Sequence, residues 1–193
     1  MLNDRKVMSY IISTERLGLR KWKEPDIIPF ASLNADEEVM RYFPKTLNYD
    51  QTYEMVERIR LHFENHGFGL YAVEKKDTNE FIGFTGFSIP AFDSFFTPCI
   101  EIGWRFKKEE WNKGFATEAA KACLDFGFKK LNFDKVVSFT AIVNTRSENV
   151  MKRIGMTKTG EFNHPKIDTG SPLCRHLLYE LKKEAGSLRG PGG

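Results

Sequence analysis

The period of the apolar positions switches along the chain, and the switches mark the elements. From 99 to 106, Ile100, Ile102, Trp104 and Phe106 alternate with Cys99, Glu101, Gly103 and Arg105. A period of two is that of a half-buried strand. Directly afterwards Ala116, Ala120, Cys123, Leu124, Gly127, Phe128 and Leu131 recur at helical spacing, with Glu118, Lys121, Asp125 and Lys129 opposite. That pattern predicts an amphipathic helix over 117–131.

The rest of the chain reads the same way. Leu17 and Leu19 alternate with Arg16, Gly18 and Arg20 and predict a first strand. Glu24-Pro25-Asp26 opens a helix to about Leu33, since proline is tolerated in a first turn. Residues 36–41 offer one further turn. Asp50 is placed to cap a longer helix with Met55, Val56, Ile59 and Phe63 on its apolar line, and Gly67 ends it. Residues 69–74 and 81–89 read as antiparallel strands joined by a turn at Asp77-Thr78-Asn79. Residues 90–98 form a loop whose Phe92, Phe95 and Phe96 either line a substrate mouth or cover the sheet edge. A buried strand at 135–143 follows. Asn144 to Ser147 supplies N-cap candidates for a helix through Ile154, closed by Gly155. A last strand spans 176–181. Residues 1–9 are expected to be flexible, 10–182 to form one domain, and 183–193 a disordered tail. The order implies an α/β protein with a mixed sheet and helices on both faces.

Composition narrows the class. A chain of 193 residues, 41% hydrophobic, can fill one core. A net charge of +3 without a long basic run gives no footprint for nucleic acid. Cys99, Cys123 and Cys174 have no metal-ligand spacing, so no metal is expected, and they read as reduced thiols. No apolar run reaches the roughly 18 residues of a membrane helix, and no signal-peptide core opens the chain. The cytoplasm is the default location.

The junction between strand 99–106 and helix 117–131 suggests an anion site. The first amides of a helix lack internal partners and carry the positive end of its dipole. A loop that turns them inward cradles phosphate. Gly114 permits an unusual backbone angle, Ala116 keeps the wall low, and Lys113 adds charge. An ordinary strand-to-helix turn uses the same residues. The glycine spacings of nucleotide P-loops and dinucleotide folds are absent.

Trp111-Asn112-Lys113-Gly114-Phe115-Ala116-Thr117-Glu118-Ala119 resembles the pyrophosphate loop of the GNAT superfamily of N-acetyltransferases. The nearest branch includes the ribosomal-protein alanine N-acetyltransferases, in which Trp commonly takes the slot of Trp111. Thr14-Glu15-Arg16-Leu17, Asn144 to Ser147 with Val150-Met151, and Gly155-Met156 resemble that branch in the same order. The resemblance covers about 10–182. It implies a single-domain GNAT fold: a twisted, mostly antiparallel sheet with a splayed cofactor cleft. It implies acetyl-CoA as co-substrate, held by Asn112, Lys113, Gly114, Phe115, Ala116 and Thr117. Main-chain contacts fall to Ile102, Gly103 and Trp104, and Asn144 reaches the pantetheine arm.

Acetyl transfer needs a base for the amine and donors for the oxyanion and departing thiolate. Glu101, a carboxylate in mid-strand, is the candidate base, since partial burial raises its pKa. Pairing with an arginine is its structural alternative. The resemblance makes Ser147 the acid for the thiolate, and a helix N-cap needs the same residue type. His164 is a second base candidate because its reference pKa lies near 6.5. The glutamate expected near it in the ribosomal-protein enzymes has no counterpart, and Lys166 stands nearby instead. The acceptor is therefore open between a protein N-terminus and a small amine, and a homodimer is compatible with the reading. The rival readings are an acyl-CoA-binding sensor without turnover and an RNA-binding domain.

Overall fold

Alternation and helical spacing resolve into eight strands and four helices among residues 10–183, the part that the computed structural model describes. The expectations for the first nine residues and for the tail from 184 onward lie outside the described residues. In chain order the elements are β1 (Ile12–Ser13), β2 (Leu17–Arg20), α1 (Ile27–Ala35), α2 (Tyr49–His66), β3 (Leu70–Lys75), β4 (Phe81–Ser88) and β5 (Glu101–Phe106). Then come α3 (Phe115–Lys129), β6 (Lys135–Ala141), α4 (Thr145–Arg153), β7 (Thr157–Asn163) and β8 (Arg175–Lys182). They form one open sheet ordered β1-β2-β3-β4-β5-β6-β8-β7. Every pairing is antiparallel except that of β5 with β6.

Helices cover both faces. Ile102 pairs with Phe87 across β4 and β5, and both are buried on the α3 side. Gly127 lets α3 approach closely, because a Cβ there would come within 2.8 Å of the Phe87 ring. On the opposite face Phe84 pairs with Arg105. There Phe30 of α1 packs edge-on against Phe81 and Phe84, at 6.1 and 5.8 Å. A smaller cluster of Val137, Phe162 and Leu178 sits apart from the main core, covered by Phe92 and Phe96. The 90–98 loop thus roofs the C-terminal sheet with two of its three phenylalanines, while Phe95 remains 73% exposed.

A buried ionic knot ties the N-terminal half together. Arg20 donates to both oxygens of Asp26, at 2.7 and 2.9 Å, and to Glu74 at 2.6 Å. All three are buried. Such a knot is costly to break, because a lone buried charge would remain.

Several boundaries differ from the pattern reading. The α2 cap is Asn48, not Asp50: Asn48 Oδ1 accepts the Gln51 amide at 2.9 Å and Gln51 Oε1 accepts the Asn48 amide at 3.1 Å. This reciprocal box satisfies two orphan donors at once. Residues 24–26 make a 3-10 turn before α1. Helix α3 starts at Phe115, two residues before the expected 117, because Gly114 already supplies the left-handed entry. Strands β1 and β7 were not anticipated. β7 is an edge strand with a single buried side chain, Phe162, so its sequence carries no alternation to read.

Candidate active site

The strand–loop–helix junction has the geometry of an anion cradle. Asn112 and Gly114 both adopt left-handed angles, φ 62° and 81°. The first α-helical bond of α3 runs from the Glu118 amide to the Gly114 carbonyl at 3.0 Å. Gly114 caps the helix with no side-chain acceptor, so the amides of the first turn are left unspent. A Cβ on Gly114 would meet only Arg16, at 3.5 Å, and a left-handed φ is what glycine supplies here.

The N-terminal motif braces this loop. Arg16 donates to the Lys113 carbonyl at 3.1 Å and to Glu118 at 2.7 Å, and lies over the Phe115 ring at 4.4 Å. Thr14 donates to Glu118 at 2.6 Å. Glu118 is thereby fixed one turn into α3. Lys113 pairs with Glu110 at 3.0 Å, which also holds Lys75, so much of its charge is spent within the protein.

Beside the loop the sheet splits. β5 and β6 share one bridged pair, Glu101 with Val137. The Val137 amide donates to the Ile100 carbonyl at 2.8 Å, and Ser138 Oγ to the Ile102 carbonyl at 2.9 Å. No pairing between them follows among the described residues. Gly103 turns its carbonyl the other way, to Thr85 Oγ at 3.0 Å. Alternation therefore leaves Trp104 as the first residue past the split with its main chain toward the gap. The gap opens into a cavity of about 330 Å³. Its wall gathers Trp104, Asn112, Gly114, Phe115, Ala116, Thr117, Asn144 and Ser147 from three separate segments. Ile102 lies wholly buried toward α3, and Lys113 points to Glu110.

Asn144 and Ser147 divide their tasks. Asn144 Oδ1 accepts the Ser147 amide at 3.2 Å, and its Nδ2 donates to Thr140 at 3.0 Å. Asn144 is therefore the α4 cap, and both ends of its amide group are engaged. The Ser147 side chain is not needed for capping and lines the cavity.

Glu101 sits at the apex of the split, half-buried. Ser88 Oγ donates to it at 3.2 Å, and no cation pairs with it among the described residues. Desolvation raises its pKa to about 7. Neither Glu101, Gly103 nor His164 joins the cavity wall. His164 lies away from the split. It packs among Phe92, at 4.9 Å, and His176, at 5.1 Å, and its Nδ1 accepts the Lys166 amide at 3.2 Å. Burial, with help from His176 and Lys166, lowers its pKa to about 4.

Three further wall residues, Trp111, Arg146 and Arg105, were not named as site residues from the sequence, although Trp111 opens the motif. Trp111 donates from Nε1 to the Phe106 carbonyl at 3.0 Å, fixing the strand's end, and Arg146 stacks on it at 4.4 Å. Arg105 also lines the cavity, 9% exposed. A cation on one face of a largely buried strand was the available signal for it.

A loop of helix-start amides at the mouth of a split sheet suits a ligand that carries phosphate. The family described as an acetyltransferase (GNAT) domain matches residues 16–157, and the chain belongs to it. Over 177 residues it is 32% identical to the uncharacterized N-acetyltransferase YnaD of Bacillus subtilis, spanning 90% of this chain and 97% of that protein. An acetyltransferase of the GNAT family from Bacillus anthracis superposes with a TM-score of 0.74 at 28% identity, over 89% of this chain and 97% of the other. The spermidine N-acetyltransferase of Vibrio cholerae, solved with CoA and spermine, shares the fold with a TM-score of 0.69 at 19% identity, over 88% and 96%. Among the described residues no group of three or more His, Cys, Asp or Glu is placed to hold a metal, and no helix is long and apolar enough to cross a membrane.

Proposed function

We propose that the protein transfers an acetyl group from acetyl-CoA to a primary amine, by direct attack with Glu101 as general base. The observation that carries this is the left-handed Gly114 entry to α3, with unspent amides facing a cavity where β5 and β6 part. The fit to CoA rests on these residues alone. Amides of 112–117 suit a diphosphate, Ala116 and Thr117 keep the wall low, and the Trp104 main chain offers an unpaired edge to an amide-bearing arm. The thioester supplies an activated acyl group.

The chain's own residues do the rest. Glu101, with a pKa near neutrality, accepts the proton that the acceptor nitrogen must lose, directly or through water. The Ser147 hydroxyl, free of capping duty, donates toward the thiolate as it leaves. His164 packs against Phe92 and His176, while Glu101 sits where β5 and β6 part, so the base role goes to Glu101. The motifs at 14–17, 111–119 and 144–151 support a place near the ribosomal-protein alanine N-acetyltransferase branch.

Thiol release, followed on mixing protein, acetyl-CoA and a panel of amines, tests the reading. Wild type should release CoA only when an amine is present, and Glu101→Gln should lower kcat while acetyl-CoA affinity stays. Tight acetyl-CoA binding with no release for any amine would make the protein a non-catalytic CoA sensor.

A further inference from the structure

We infer that the acceptor is a small amine carrying a carboxylate, and that Arg105 is the residue that selects it. The inference rests on the acetyl-transfer reading and specifies its substrate class. Arg105 is a buried cation in the cavity wall without an anionic partner among the described residues. Its Nη1 donates to a neutral acceptor, Asn34 Oδ1, at 2.6 Å. The Phe43 and Phe84 rings flank the guanidinium at 4.1 and 5.5 Å. Neither amide nor ring supplies a counter-charge. Its Nε is buried and has no hydrogen-bond partner. An unsatisfied buried donor in a native wall calls for a ligand or water.

The acids nearby are already committed. Glu38 pairs with Lys108 and, at 4.0 Å, with Arg146. Glu110 holds Lys75 and Lys113, each at 3.0 Å. The guanidinium is also held in place. Asn34 is fully buried and donates to Thr52 of α2 at 3.2 Å, which keeps its oxygen aimed at Arg105. Burial lowers the Arg105 pKa to about 10, which still leaves it charged at pH 7.

Position on the strand assigns the charge to the acceptor side. Arg105 shares its face of β5 with Glu101, opposite the face that packs on α3. The residue between them on that face is Gly103, where a Cβ would meet nothing within 4 Å. Its cross-strand partner Gly86 also lacks a side chain, but a Cβ there would collide with the Gly69 carbonyl oxygen, so the open space is that over Gly103. Open space over Gly103 thus lies between the base and the cation, about 13 Å apart between their Cα atoms at ~3.3 Å per residue. The two side chains take up part of that length. A compact molecule lying over Gly103 presents its amine to Glu101 and its carboxylate to Arg105, whose planar fork matches two oxygens. A long protein N-terminus without a nearby acid would leave the cation unpaired.

The test compares glycine, β-alanine, 4-aminobutyrate and 6-aminohexanoate with their carboxamides and with propane-1,3-diamine. Rates of thiol release and calorimetric binding to the CoA-loaded protein are both measured. For at least one chain length, wild type should prefer the carboxylate over its amide at least tenfold in kcat/KM and in Kd. Arg105→Met should reduce that ratio to about one, Arg105→Lys should keep part of it, and acetyl-CoA affinity should hold in both. Equal use of amides or diamine by wild type overturns the inference, and that arm needs no variant to fold. Loss of acetyl-CoA affinity in Arg105→Met also overturns it, by giving the guanidinium to the cofactor. If no amine is acetylated, the catalytic reading fails by itself. Carboxylate binding that depends on Arg105 would then still support the anion site, and its absence would end it.

Discussion

Glu101→Gln gives two readouts from one desolvated carboxyl. The folded protein raises this group from an ordinary 4.5 to about 7. The sign follows from linkage: the fold favours the protonated form, so stability is undiminished below pH 4.5 and falls as pH rises through 7. A shift of about 2.5 units at 1.36 kcal/mol each is about 3 kcal/mol. Glutamine keeps the shape and has no charge to bury. The variant should therefore exceed wild type by about 1 kcal/mol at pH 5 and about 3 kcal/mol at pH 8. Urea unfolding of both proteins at the two pH values measures this, and groups common to both cancel in the difference. The same titration should appear in catalysis. Wild-type kcat/KM should rise with pH around a midpoint near 7, and the variant should lose that limb together with most of its turnover. A stability difference that stays flat with pH would show that the carboxyl is not desolvated, and the argument for a poised base would go with it.

Gly114→Asp should weaken acetyl-CoA binding more than tenfold by calorimetry, since it strains a left-handed position and adds an anion at the helix start. Ser147→Ala should lower kcat while moving the melting temperature little, and Asn144→Ala should destabilise by about 1 kcal/mol because it removes the α4 cap. Arg20→Ala should cost about 3–5 kcal/mol in chemical unfolding, because it leaves the buried Asp26 and Glu74 carboxylates without the guanidinium between them.

The alternation of 99–106 and the helical line after Ala116 determined the strand, the helix and the loop between them, because a one-sided core imposes its period on the sequence. The motif at 111–119 carried the family resemblance for a local reason: a left-handed glycine and a small neighbour suit a helix start that meets a phosphate. β7 was illegible because an edge strand with one buried side chain has no period to impose. Other assignments depended on residues far apart in the chain. Only folding shows that Asn144, not Ser147, spends its side chain on the cap, or that Thr14 and Arg16 brace a loop about a hundred residues away. The Glu101 pKa depends on an environment built by β4 and β6. The character of Arg105 depends on which acids reach it, and each acid in the cavity wall is held by another cation. Charge balance in a buried site is a sum over neighbours in space, and a linear sequence does not contain that sum.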